Sequence, residues 1–174
     1  MHKIAITKKC VLYRNALPKT LITVIIALGL SVAATHSQAA GPTAQEQHAE
    51  GQLDLSAWKG KVVYLDFWAS WCGPCRQSFP WMISLQRRYA DQGFVVVGVN
   101  VDKDRELANK FLDQFHASFP IIFDSTGHLA EQFKIPGMPS SVIFDRDGAV
   151  RFVHSGFRSE QTAVLESELK SLLQ

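Results

Sequence analysis

Cysteine is scarce in this chain, which has three in 174 residues. Cys10 lies in an N-terminal stretch of distinct composition, so Cys72 and Cys75 are the pair left for the rest of the chain. A small domain held together by several disulfides is therefore excluded. A bridge between cysteines this close in sequence adds little stability through chain entropy, so the pair is better explained by its reactivity.

Acidic residues are missing before Glu46, whereas five of the first nineteen residues are lysine or arginine. An apolar stretch at residues 21–34 follows, and then small residues up to Ala39. This order is typical of a secretory signal peptide, so we predict that residues 1–39 are cleaved off and that the protein is exported. The alternative is an uncleaved N-terminal membrane anchor, but fourteen apolar residues fall short of the about 20 that a span requires.

The basic character of the chain belongs to this predicted signal peptide. Cleavage removes five basic residues and no acidic ones, so the formal net charge falls from +2 to −3. The remainder shows no charge pattern that indicates a nucleic acid partner. Residues 40–52 are polar and are predicted to be a flexible leader, and residues 53–174 are predicted to form one domain.

Strand-like and helix-like segments alternate along this domain, which predicts an α/β fold with a mixed sheet. Predicted strands cover residues 62–68, 94–101, 120–123, 141–145 and 150–154, and predicted helices cover 73–89, 104–115, 129–133 and 159–173. Asp102 and Asp104 are both expected to cap the second helix. In the last helix, Val164, Leu165, Leu169 and Leu172 are expected to share one apolar face.

The cysteine pair lies where the first predicted strand gives way to the first predicted helix. A cysteine at a helix N-terminus is favoured as the thiolate by the helix dipole and by unsatisfied backbone N–H groups. Cys75 follows Cys72 by three residues, so both lie on one helix face and are able to close a disulfide. This placement predicts a pair that passes two electrons through one disulfide.

Residues 66–75, DFWASWCGPC, resemble the active-site segment of thioredoxins, and Pro80 matches the proline of that family's active-site helix. Residues 98–102, 119–124, 137–139 and 144–148 follow the order and approximate spacing of the exported TlpA/ResA branch. The resemblance implies a thioredoxin fold: a central mixed β-sheet flanked by helices, with a TlpA-type βα insertion and a C-terminal β-hairpin plus helix. It also implies a thiol:disulfide oxidoreductase that needs no cofactor beyond a redox-active Cys72–Cys75 disulfide.

By this resemblance Cys72 is the nucleophile, Cys75 resolves the mixed disulfide, and Asp66 serves Cys75 as an acid/base. Asp66 interrupts an apolar strand, where burial is expected to raise its pKa towards neutrality. The alternative is a strand-end aspartate that is satisfied by a lysine or a backbone amide. The branch often has a glutamate three residues past the second cysteine, where this chain has Ser78, so Asp66 is expected to do that glutamate's work.

The resemblance also predicts the substrate-binding residues. Pro139 is expected to be a cis-proline opposite the cysteines, and the backbone of Met138 is expected to pair with the substrate as an added strand. The alternative is a trans proline in a turn-rich stretch. Trp71, with Gly73 and Pro74, is expected to form an apolar contact surface, whereas Trp68 is expected to lie in the core.

Gly73 and Pro74 bring no charge between the cysteines, which favours a reductant over an oxidant. We therefore predict a periplasmic reductant whose clients are disulfide-containing proteins, such as apocytochrome c or copper-site proteins. By the resemblance, its electrons come from a DsbD-like or CcdA-like membrane protein.

Other functions remain open from the sequence. A zinc site is disfavoured because there is no second CxxC and the histidines lack ligand spacing. A peroxiredoxin-like peroxidase usually has a threonine three residues before the reactive cysteine, where this chain has Ala69. A copper chaperone would use the pair as ligands, without a Met/His cluster to support it. An oxidase or isomerase would differ mainly in its redox potential.

Overall fold

The structure, a computed structural model, describes residues 51–174. The predicted signal peptide and nearly all of the predicted leader therefore lie outside the described residues. Of the leader, Gly51 donates a backbone hydrogen bond to the carbonyl of Phe123 at 2.7 Å. Within residues 51–174, no helix is long and apolar enough to cross a membrane.

The described chain forms five strands and four α-helices, which alternate except that β5 follows β4 directly. In order they are β1 (Val62–Trp68), α1 (Gly73–Tyr89), β2 (Phe94–Asn100), α2 (Arg105–Phe115), β3 (Ile121–Phe123), α3 (His128–Gln132), β4 (Ser140–Phe144), β5 (Val150–Ser155) and α4 (Thr162–Leu173). Short 3₁₀ turns cover Leu55–Trp58, Ala90–Gln92 and Ser159–Gln161. The predicted strands and helices are all present, with bounds shifted by at most three residues.

The strands form one mixed sheet in the order β3-β2-β1-β4-β5. β1, β2 and β3 run parallel, and β4 pairs antiparallel with both β1 and β5. Every residue of β1 and β2 is buried, as expected for central strands that are covered on both faces. The thioredoxin fold predicted from the sequence, with its central mixed sheet and C-terminal hairpin plus helix, is confirmed.

Alternate residues of β1 face two separate apolar clusters, one on each side of the sheet. Val62, Tyr64 and Trp68 pack with α1 and with both cysteines. The residues between them, such as Leu65, pack with α3 on the other side. Because side chains alternate along a strand, Asp66 belongs to the face that carries Tyr64 and Trp68. The fold thus places Asp66 on the same side of the sheet as the cysteines.

Gly98 of β2 lies in register with Asp66, and because it has no side chain, Ile121 and Trp68 pack close to its backbone. A Cβ atom at this position would lie 2.9 Å from Cδ1 of Ile121 and 3.0 Å from Nε1 of Trp68. The Trp68 indole therefore occupies the space that a side chain of residue 98 would need.

The prediction for the last helix was wrong at Val164, which is 60% exposed. The first turn of the predicted segment is a 3₁₀ turn, and α4 starts only at Thr162. Leu165 and Leu169 are buried, as predicted. Val164 is the immediate neighbour of Leu165, and adjacent residues on a helix do not share a face.

Candidate active site

Cys72 and Cys75 form a disulfide, with an S–S distance of 2.04 Å and a Cα–Cα distance of 5.3 Å. Cys72 is the N-cap of α1, and its Sγ accepts a hydrogen bond from the backbone N–H of Cys75 at 3.2 Å. Pro74 lies in the first turn, where its missing N–H costs no hydrogen bond. α1 therefore begins directly after Cys72, and the Cys72 sulfur lies at the N-terminus of this helix.

The two cysteines differ in accessibility. Cys72 is 4% exposed, whereas Cys75 is fully buried. Trp71, the residue before Cys72, is 68% exposed, and Trp68 is fully buried, as predicted. Both cysteines are thus buried in the oxidised form, but Cys72 keeps a small exposed surface beside an exposed indole, whereas Cys75 keeps none.

Asp66 is a buried carboxyl group, with 2% of its surface exposed. Burial raises its pKa well above the ordinary aspartate value. Its Oδ2 atom lacks a hydrogen-bond partner in the part of the chain that the structure describes, so no lysine neutralises this oxygen. Burial also raises the pKa of the neighbouring Tyr64, and the charge of an ionised Asp66 raises it further. The burial expected from the sequence is present, and the acid/base role of Asp66 stays a prediction.

Ser78 occupies the position at which the TlpA/ResA branch often has a glutamate. It is buried, and its hydroxyl donates a hydrogen bond to the carbonyl of Cys75 at 3.1 Å. This bond satisfies the hydroxyl within the helix but supplies no group that titrates near neutral pH. Of these two positions, it is therefore Asp66 that places a buried carboxyl group on this side of the sheet.

The peptide bond between Met138 and Pro139 is cis, as the resemblance predicted. Pro139 comes directly before β4, whose first residue pairs with Phe67 near the end of β1. Since the Cys72 loop follows the end of β1, the Met138–Pro139 segment and the cysteines lie at the same edge of the sheet. Met138 is partly buried and packs against both apolar clusters. Its pairing with a substrate strand stays a prediction.

A clamp on the Cys72 loop was missed by the sequence reasoning. The Asp102 carboxylate accepts hydrogen bonds from the backbone N–H of Ser70 at 2.8 Å and from its hydroxyl at 2.9 Å. The Asn100 amide donates a third at 2.7 Å. The predicted capping role of Asp102 was wrong, because Asp104 alone is the N-cap of α2. Asp102 instead fixes the loop that carries Trp71 and Cys72.

We expect Asp102→Asn to lower the free energy of unfolding by about 1–3 kcal/mol, because the three hydrogen bonds to a charged carboxylate would be replaced by weaker bonds to a neutral amide. Urea unfolding of the oxidised protein measures this change. Asp104→Asn is the matched control, since asparagine caps a helix about as well as aspartate and the effect there should be close to zero. Equal losses in the two variants would contradict the clamp.

Arg76 borders the disulfide on the exposed side of α1. Its Nη1 donates to Oε1 of Gln114 at 3.0 Å, and its Nη2 donates to the Ser70 carbonyl at 3.4 Å. The guanidinium also lies 5.0 Å from the centre of the Phe111 ring. Arg76 thereby links the start of α1 to the Cys72 loop and to α2.

Within residues 51–174, no group of three or more metal-ligating side chains is arranged to hold a metal ion.

A family profile described as Redoxin matches residues 36–173. The chain belongs to the redoxin family. This redoxin-family chain is 29% identical to thiol-disulfide oxidoreductase ResA from Bacillus subtilis (strain 168) over 109 residues. The match covers 63% of this chain and 61% of ResA. The thioredoxin-like protein YneN of the same organism is 40% identical over 101 residues, or 56% of this chain and 58% of YneN. The resemblance to the TlpA/ResA branch of the thioredoxin superfamily is thus confirmed.

Solved structures of redoxin relatives share the fold. A candidate thiol:disulfide interchange protein DsbE from Chlorobium tepidum is 46% identical, with a TM-score of 0.70, and the match covers 72% of this chain and 92% of that protein. StoA from Bacillus subtilis is 25% identical, with a TM-score of 0.56, and the match covers 64% of this chain and 84% of StoA.

Proposed function

We propose that this redoxin-family protein is a periplasmic thiol:disulfide oxidoreductase that reduces disulfides of client proteins. The observation that carries the proposal is the Cys72–Cys75 disulfide, in which Cys72 lies at a helix N-terminus beside an exposed tryptophan and keeps a small exposed surface, whereas Cys75 is fully buried. Such an arrangement separates the sulfur that meets a client from the sulfur that releases it. The names of the ResA relatives and of the DsbE neighbour support the same chemistry.

The reaction begins with the reduced protein. The Cys72 thiolate, favoured by the start of α1, attacks one sulfur of the client disulfide. A Cys72–client bond forms, the client disulfide breaks, and the departing client thiolate takes a proton. The Asp66 carboxylate then accepts the proton of the Cys75 thiol. The Cys75 thiolate attacks Sγ of Cys72, which releases the second client thiolate, so two electrons have passed to the client.

Renewed reduction of Cys72–Cys75 needs an electron source outside the chain. We assign this role to a DsbD-like or CcdA-like membrane protein, which passes electrons by the same exchange of disulfides. The periplasm is oxidising, so a reductant there depends on such a supply. Apocytochrome c and copper-site proteins are suitable clients, because their cysteines must be reduced before haem or copper binds.

The equilibrium redox potential against glutathione tests the direction of electron flow. The uncharged Gly73-Pro74 pair places no cation beside the Cys72 thiolate. We therefore expect a redox potential of about −270 mV, the value of thioredoxin. The reduced and oxidised forms are quantified by mass spectrometry after acid quenching and alkylation. A redox potential of about −120 mV, the value of DsbA, would contradict the proposed reductase and indicate an oxidase.

A further inference from the structure

One row of residues crosses the sheet at the level of Asp66. On the β2 side, Asp66 lies in register with Gly98, and Gly98 lies in register with Ile121 of β3. On the other side, Asp66 pairs with Ser141 of β4, and Ser141 pairs with His154 of β5. The row is therefore apolar towards β3 and polar towards β5.

The polar half of the row lies on one face of the sheet. Residues directly opposite each other on antiparallel strands point to the same face, with Cβ atoms about 4.5–5.5 Å apart. The Ser141 hydroxyl is therefore within hydrogen-bonding reach of the Asp66 carboxyl group on one side and of the His154 imidazole on the other. Asp66 and Ser141 are both buried.

The outer end of this row reaches solvent. Nε2 of His154 lies 2.8 Å from Oε2 of Glu168 on α4, and the two side chains are 26% and 24% exposed. Neither atom has a hydrogen-bond partner elsewhere in residues 51–174. At this distance one of the two atoms must carry a proton, so the pair holds an exchangeable proton beside the buried part of the row.

Tyr64 connects Ser141 with this pair. It lies two residues before Asp66 on β1, so both side chains are on the same face. Burial and the charge of Asp66 raise the pKa of Tyr64, a hydrogen bond with the Ser141 side chain opposes them, and the charge of Glu168 adds to them. Tyr64 therefore stays protonated and can accept one proton as it donates another. On α1, the ring packed against Tyr64 is that of Trp81, with 5.8 Å between ring centres.

These five residues, Asp66, Ser141, Tyr64, Glu168 and His154, are called the polar cluster below. The proposed reaction requires such a cluster, because Asp66 takes up the Cys75 proton in every cycle and must lose it again. Asp66 is 2% exposed, so it has little direct contact with water. Its row partner on β2 is a glycine, which offers no side chain to accept the proton.

We propose that Asp66 exchanges its proton with solvent through the Ser141 and Tyr64 hydroxyl groups and the Glu168–His154 pair. This inference rests on the proposed function, because the proton concerned is the one that Cys75 gives up. Asp66 donates a proton to Ser141, Ser141 donates its own to Tyr64, Tyr64 donates its own to the pair, and the pair releases one to water. The hydroxyl groups end unchanged, and Asp66 ends as the carboxylate. The other four residues act through Asp66 and do not act on the sulfurs.

The test measures proton exchange at Asp66 in the oxidised protein, without a client. The ¹³Cγ resonance of Asp66 is followed by NMR at the midpoint of its titration, where the line shape reports the rate of exchange with solvent. We expect His154→Gln to slow this exchange by at least about 10-fold. His128→Gln is the matched control, because His128 is exposed at the start of α3 and should leave the rate unchanged.

Free imidazole separates a proton acceptor from a structural support. His154→Ala leaves room for a small molecule, and imidazole accepts a proton in the same pH range as histidine. Millimolar imidazole should therefore restore exchange at Asp66 in His154→Ala and change it little in the wild type. Slow exchange that imidazole does not accelerate would contradict the role of His154.

Two conservative variants test the interior of the route. Ser141→Ala and Tyr64→Phe each remove one hydroxyl group and should each slow exchange at Asp66. Ser140→Ala is the matched control, because Ser140 is also buried but its hydroxyl donates to the carbonyl of Gly137 at 2.7 Å. Wild-type exchange in both Ser141→Ala and Tyr64→Phe would overturn the route.

The outcomes distinguish the route from the proposed function. Exchange at the wild-type rate in every variant of the polar cluster would overturn the route and leave the reductase function standing. If the wild-type protein does not reduce insulin, the proposed function is wrong, and the route falls with it as a step of catalysis whatever the exchange rates are.

Discussion

Replacing Cys75 with serine is expected to stop turnover and to leave the client covalently bound to Cys72. A serine hydroxyl does not attack a disulfide, so the mixed disulfide that Cys72 forms is no longer resolved from within the protein. With insulin as the client, we expect the turnover rate to fall by about 10³-fold or more. Mass spectrometry under non-reducing conditions should show insulin attached to the protein through Cys72.

Cys72→Ser is the matched control for this trap. It also abolishes turnover, but Cys75 is fully buried, so no adduct should accumulate. Adducts of equal yield on the two variants would show that both sulfurs meet clients, which contradicts the division of roles drawn from their exposure. A Cys75→Ser protein that turns insulin over at the wild-type rate would contradict the two-step exchange itself.

Asp66→Asn is expected to slow the second step near neutral pH by about 10²-fold, the usual size of a general acid–base contribution. The amide is close in size to the carboxyl group but accepts no proton from Cys75. The rate of the variant should rise with pH, because Cys75 then ionises without help. Single-turnover release of insulin by the reduced protein, followed across pH, measures this profile; identical profiles would remove Asp66 from the mechanism.

Asp66→Asn should also change the way in which stability depends on pH, and the direction of this change follows from the raised pKa of Asp66. The folded state holds the Asp66 proton more tightly than the unfolded state does. This contribution to stability is therefore fully present below the unfolded pKa and is lost as pH rises through the folded pKa. Each pH unit within that window costs the wild type about 1.4 kcal/mol. Asp66→Asn should abolish this decline and make the oxidised protein more stable than wild type at alkaline pH.

Asp124→Asn is a suitable control for both readouts. Asp124 is also fully buried, but its Oδ2 accepts a hydrogen bond from the backbone of Ala130 at 3.0 Å. The variant should lose stability through that bond and keep the wild-type pH profile of the reaction. A shifted profile in Asp124→Asn would show that the method reports altered stability and not proton transfer at Asp66.

Local patterns predicted the elements that carry the site. The apolar run of β1 and the cysteine-glycine-proline start of α1 gave the observed bounds, Val62–Trp68 and Gly73–Tyr89. Both depend on neighbours in sequence: a strand buried on two faces is continuously apolar, and a helix start needs a cap. The cis bond before Pro139, by contrast, was expected from the family resemblance, because a sequence by itself does not distinguish cis from trans.

The Asp102 clamp could not be predicted in the same way. As a local signal, an aspartate just before a helix is a cap, and Asp104 fills that role. The contact between Asp102 and Ser70 joins residues 32 positions apart and exists because β2 ends beside the end of β1. The sequence did contain one signal of this contact. Asp102 and Asp104 are both candidate N-caps, but a helix has one N-cap, so one of the two carboxylates is left to bind elsewhere.

Gly98 limits the ways in which evolution could alter the buried carboxyl group opposite it. A cation placed on β2 beside Asp66 would need a side chain at position 98, where the first added carbon already meets Ile121 and the Trp68 indole. A lysine there would require Cδ1 of Ile121 and the Trp68 indole to shift. On β4, by contrast, the partner of Asp66 in register is Ser141, a position that already holds a side chain.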